Sequence, residues 1–144
     1  MKRKKVSTFN LVSLKFYFFI VFELNEEAKT HLSQLEGPIG ICAVAGMYRT
    51  GKSYLLNRML LDRSNGFGVG PTINPCTKGV WMWGKPVDGL TPDGDPIKVI
   101  ILDTEGLGAL DEDSNHDVRI FSLAILLSSY FIYNSVGSID ENAL

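Results

Sequence analysis

Apolar positions along the chain fall into two kinds of run, short continuous ones and longer ones spaced at three and four. Residues 39–45 (IGICAVA) and 97–102 (IKVIIL) are nearly unbroken, the pattern of strands covered on both faces in a parallel sheet. Residues 80–83 (VWMW) and 130–133 (YFIY) read as further strands, being short and rich in aromatic and β-branched side chains. A helix opens at Asn25, which caps a first turn carrying Glu26 and Glu27, with Leu24, Ala28, Leu32 and Leu35 on one face and Gly37-Pro38 as its stop. A second helix is predicted over 52–61, burying Leu55, Leu56, Met59 and Leu60, and a third over 120–127. The reading expects 64–79 to be loop, since it carries four glycines and two prolines, and gives turn chemistry to 85–96. Such a long loop inside a domain is usually functional. The capping-box pattern at Ser138 to Glu141 predicts one more helix starting there, so the chain reads as a fragment.

The N-terminal segment, residues 1–23, is harder to place. A basic cluster (KRKK) precedes the apolar run 16–22 (FYFFIVF), which raises a secretory or membrane role as one alternative. Lys15 and Glu23 bound the run and no small-residue cleavage site follows, so a buried or edge strand is the preferred expectation. A third alternative is that this end is not part of the mature folded product. No apolar stretch reaches the roughly 18 residues that a spanning helix needs.

Composition changes the picture little, but it excludes several classes. In 144 residues, 14 Lys+Arg stand against 16 Asp+Glu, and hydrophobic residues make up 45%, which is ordinary globular usage for one domain or part of one. The formal charge of −2 argues against a nucleic-acid binder, which needs clustered positive charge. Cys42 lies within an apolar run and reads as a core residue, and with only Cys76 beside it the pair suggests a reducing, cytoplasmic setting. His31 is expected on the polar side of its helix and His116 in an acidic loop with Asp111, Glu112, Asp113 and Asp117, neither with metal-ligand company. Trp81 and Trp83 share a strand face and read as packing.

The chemistry lies between the first buried strand and the second helix. Gly46-Met47-Tyr48-Arg49-Thr50-Gly51-Lys52-Ser53 fits G-x-x-x-x-G-K-[ST], with the strand before and helix after that this phosphate-binding loop requires. Gly46 and Gly51 allow the tight turn that aims backbone N–H groups at phosphate oxygens. Lys52 supplies a point charge for the outer phosphates, and the Ser53 hydroxyl suits Mg²⁺. Asp103 in Asp103-Thr104-Glu105-Gly106 follows a buried strand, at the carboxyl end where α/β sheets gather ligands. Its carboxylate suits a metal-bound water, while Gly106 leaves an N–H open to a γ-phosphate. A hydroxyl on the 64–79 loop is a candidate to complete the metal shell in the triphosphate state. Spacing does not choose between Thr72 and Thr77. Arg49 is either a solvated loop arginine or a guanidinium that stabilises charge on the transferring phosphoryl group.

Four blocks together, G-M-Y-R-T-G-K-S-Y-L-L-N (46–57), C-T-K-G-V-W-M-W (76–83), L-D-T-E-G-L-G (102–108) and L-L-S-S-Y-F-I-Y-N (126–134), resemble the large GTPases of the guanylate-binding protein family, relatives of atlastin within the dynamin superfamily. The resemblance covers residues 24–144. It implies an α/β fold with a Ras-like core, a mostly parallel sheet flanked by helices. It also implies GTP as substrate with Mg²⁺, and hydrolysis stimulated when two GTPase domains meet as a homodimer. The implied nucleotide contacts are Gly46, Tyr48, Arg49, Thr50, Gly51, Lys52, Ser53 and Tyr54, with Asp103, Thr104, Glu105 and Gly106 from the second block. Ser53, Thr77 and Asp103 become the metal residues, and Arg49, Lys52 and Thr77 the catalytic ones. Pro75 stands where several relatives carry a serine implicated in placing the attacking water. The family's guanine-selecting Arg-Asp motif lies downstream of residue 144, so the preference for GTP over ATP comes from the resemblance alone. A nucleotide-holding module with negligible turnover and an inactive fragment remain the rival readings, with an ATPase of another P-loop class as a third that the C-T-K-G and L-D-T-E-G-L-G blocks disfavour, and a membrane partner is left open.

Overall fold

The computed structural model describes residues 8–16, 20–64, 66–69, 79–108 and 114–137. Seven strands form one sheet: β1 (Thr8–Phe16), β2 (Ile20–Leu24), β3 (Ile39–Ala45), β4 (Val80–Trp83), β5 (Val87–Leu90), β6 (Pro96–Thr104) and β7 (Tyr130–Tyr133). Their order is β2-β1-β4-β6-β3-β7, with β5 also on β6. The parallel core expected from the two buried runs is present, as β3 pairs parallel with both β6 and β7. Around it the sheet is mixed rather than mostly parallel, because β1–β2, β1–β4, β4–β6 and β5–β6 are antiparallel. The connections β1–β2 and β5–β6 are too short for a crossover, so those neighbours must reverse direction.

Three helices flank the sheet: α1 (Glu26–Ser33), α2 (Lys52–Leu55), which continues as a π-helical stretch over Leu56–Leu60, and α3 (Ser114–Leu127). Alternation along the buried strands sorts the core into two layers. Ala43, Ala45, Ile100 and Leu102 pack with Ala28 of α1 and with Ile120 and Ala124 of α3. Cys42, Val44 and Ile101 pack on the other face with Leu56, Phe67 and Trp83. Asn25 caps α1 as expected, its side chain accepting from the N–H groups of Glu27 (2.9 Å) and Ala28 (3.1 Å).

Several expectations are corrected. The apolar run 16–22 is not one strand: it contributes the end of β1 and most of β2, with 17–19 outside the described residues. Leu24 belongs to β2 and not to the face of α1. The segment 85–96 contains a strand, β5, whose Asp88 pairs with Lys98 across the ladder. Its alternating, half-exposed residues carry no continuous apolar run to reveal it. Met59 is 74% exposed, because the π-helical turn, closed by Leu61 N–H to Leu56 O at 3.0 Å, shifts the helical phase by a residue. The buried Asn57 anchors that stretch, donating to Phe67 O and accepting from Phe67 N–H. Finally, α3 starts at Ser114, so His116 and Asp117 lie in a helical first turn and not in a loop.

Candidate nucleotide site

The loop leaving β3 turns sharply over residues 46–51. Gly46 (φ +148°) must be glycine, since a Cβ there would stand 2.1 Å from Asn134 O. Gly51 (φ +85°) begins α2 in a left-handed conformation that an L side chain resists. Arg49 also adopts positive φ (+62°), and its side chain lies at the exposed surface of the loop. Thr50 Oγ1 donates to Met47 O at 2.9 Å and closes the turn. Tyr48 N–H donates to Leu107 O (2.7 Å) and Leu107 N–H to Gly46 O (3.1 Å), so the loop is stitched to the segment after β6. Tyr54 faces outward, its ring beneath Arg58.

Two elements converge on the start of α2. Lys52 is buried, with Nζ donating to Met47 O at 3.0 Å. Burial pushes its amine below the ordinary lysine value, while the carboxylates of Asp103 and Glu105 pull it back up. Ser53 Oγ donates to Asp103 Oδ2 at 2.5 Å, across fifty residues of chain. Asp103 is buried at the carboxyl end of β6. Gly106 lies over this point: a Cβ would stand 2.6 Å from Tyr48 Cα and 3.1 Å from Lys52 Nζ. The positive end of α2, the Lys52 ammonium and the buried Asp103 carboxylate therefore meet within one small volume. A helix start leaves its first N–H groups without intrahelical partners, and these suit an anion.

The remaining members of the second block face elsewhere. Thr104 Oγ1 donates to Val44 O at 2.8 Å and ties β6 to β3. Glu105 is buried; its Oε2 accepts from Gly79 N–H (2.8 Å) and lies 3.0 Å from His116 Nε2, while its N–H donates to Gly79 O. Gly108 N–H donates to Asp117 Oδ2 at 2.6 Å. The first turn of α3 thus holds both ends of the 105–108 segment. Thr77, together with Thr72 and Pro75, lies outside the described residues. Sequence reasoning missed His116 and Asn134. Neither has a local signal, because each acts across the fold, on Glu105 and on the 46–51 loop respectively.

No three His, Cys, Asp or Glu side chains cluster as a metal cage among the described residues. The hydroxyl of Ser53 and the carboxylate of Asp103 nonetheless fit Mg²⁺, a hard cation that takes oxygen ligands and is commonly held by one or two protein groups beside phosphate and water.

A mixed sheet flanked by helices, with a glycine-rich loop gripping the start of a helix beside a strand-end aspartate, defines an α/β protein with a candidate phosphate site. Residues 20–144 match the guanylate-binding protein, N-terminal domain, family, and the chain belongs to that family of large GTPases. It is 46% identical over 121 residues to mouse guanylate-binding protein 5 and 46% identical over 122 residues to human guanylate-binding protein 2. Human guanylate-binding protein 1 is 45% identical over 121 residues. These matches cover 83–84% of this chain and 20% of each relative, so the chain spans about a fifth of their length.

Proposed function

We propose that this chain binds GTP with Mg²⁺ at the 46–53 loop and takes part in hydrolysis of the γ-phosphate. The observation that carries the reading is the Ser53–Asp103 contact at 2.5 Å beside the buried Lys52, which brings the two separate motifs into one site. Bound Mg²⁺ would supply charge neutralisation on the phosphates from the position that Ser53 and Asp103 define. Lys52 and the amides opening α2 stabilise charge that spreads over the phosphoryl oxygens. Arg49, in the wall of the same loop, adds a permanently charged fork. Thr77, outside the described residues, is assigned to the metal by the family resemblance alone, and Gly106 would open an N–H to the γ-phosphate. The family supports guanine as the base. Association of two such domains as a homodimer would stimulate turnover, and the buried thiol Cys42 suits a reducing cytoplasm.

Thermal melts of the purified chain with Mg²⁺ and GTP test binding. Nucleotide at a hundred times its dissociation constant should add about 2.7 kcal/mol of stability, and a melt that ignores millimolar GTP refutes the site. Arg49→Ala should slow single-turnover hydrolysis by ~10³ or more with affinity retained. A per-protomer rate that rises with protein concentration would support stimulation by dimerisation.

A further inference from the structure

A non-glycine residue at positive φ, such as Arg49 at +62°, persists only where its surroundings over-determine it. On one side of this turn, Met47 O accepts from Thr50 Oγ1 and from Lys52 Nζ. On the other side stands a residue from a distant element. Asn134 follows the end of β7, and its N–H extends the β3–β7 ladder by donating to Ala45 O at 2.8 Å. Its Nδ2 donates to Thr50 O at 2.8 Å. Its own carbonyl occupies the space that a side chain at residue 46 would need.

We propose that Asn134 is a positioning residue for the phosphate-gripping loop, acting without touching the ligand. The argument rests on peptide geometry. In a planar trans peptide the C=O and the following N–H point in opposite directions. Holding Thr50 O to Asn134 therefore turns the Gly51 N–H in the opposite direction within that plane, toward the amides that open α2. The same bond pins the Thr50–Gly51 peptide, one unit beyond the strained Arg49. Asn134 meets the entry of the loop at Ala45 and Gly46 and its far limb at Thr50, so it sets the loop's width as well as its twist.

This inference rests on the nucleotide reading above, and the experiment separates the two. Dissociation constants for Mg·GDP and Mg·GTP are measured on the wild-type chain, Asn134→Ala and Tyr133→Phe, with a nucleotide-free melt of each. Asn134→Ala should weaken both nucleotides about tenfold, the scale of one lost positioning hydrogen bond. Its nucleotide-free melting temperature should stay within about 3 °C of wild type. Tyr133→Phe, a change on the same strand end, should leave both constants unchanged. Should alanine fail to fold, Asn134→Ser replaces it, because its shorter hydroxyl stays polar but falls short of Thr50 O. Unchanged constants in the Asn134 variant overturn the assignment, as does an equal loss in Tyr133→Phe. A lowered melting temperature with affinity intact overturns it too, leaving only a structural role. A wild-type chain that binds neither nucleotide refutes the nucleotide site itself.

Discussion

Cys42 and His116 show how differently two buried side chains can depend on their surroundings. Cys42 is 5% exposed among apolar neighbours, and burial pushes its thiol above the ordinary 9.0. The folded chain thus holds that proton more tightly than the unfolded one. Its contribution to stability is complete below pH 9.0 and is lost as pH climbs through the raised folded value. Relative to Cys42→Ala, wild type should therefore lose melting temperature as pH rises above 9.0. Iodoacetamide should label Cys42 only in denaturant, and rapid labelling of the native chain would contradict its burial. His116 packs against the buried carboxylate of Glu105, whose Oε1 has no hydrogen-bond partner among the described residues. His116→Ala would leave Glu105 with less compensation and should cost on the order of 1–3 kcal/mol, read from the urea midpoint. The core role of Cys42 was legible in the sequence because its neighbours in the chain are apolar. The partner of His116 was not, because eleven residues and a turn of helix separate it from Glu105.

At the scale of elements, the loop between β3 and α2 is held at both limbs, by Asn134 against Gly46 and Thr50 and by the bonds to Met47 O. Gly46→Ala would force a Cβ against Asn134 O in a conformation that alanine resists. It should destabilise the fold by at least about 2 kcal/mol, measured by urea unfolding, as well as remove nucleotide binding. The β3–loop–α2 unit was readable in advance, since a continuous apolar run, a glycine-rich turn and an amphipathic stretch are all local signals. The π-helical stretch Leu56–Leu60 was not. It depends on Asn57 reaching Phe67, and nothing in the local spacing departs from an ordinary helix. Nor was β5, whose half-exposed pattern is indistinguishable from a turn until β6 lies beside it.

For the whole molecule, the two outer strands and the outer face of α3 decide how the chain behaves in solution. Among the described residues, β2 and β7 lie at the ends of the sheet, and Leu126 on α3 is 82% exposed. Open strand edges and exposed apolar side chains favour self-association. Leu126→Lys should raise the concentration at which light scattering reports a monomer, with the melting temperature unchanged, and a variant as prone to association as wild type would exclude this face. The sequence by itself determined the α/β class, the buried parallel strands and the glycine-rich loop after β3, because each is written in residues a few positions apart and follows from local backbone preference and hydrophobic period. Only the tertiary structure decided that the sheet is mixed, that Ser53 meets Asp103, that α3 braces Glu105 and that Asn134 clasps Thr50. Those contacts join segments separated by eleven to eighty-four residues, and pairing over such distances is set by how whole elements pack, which no local pattern encodes.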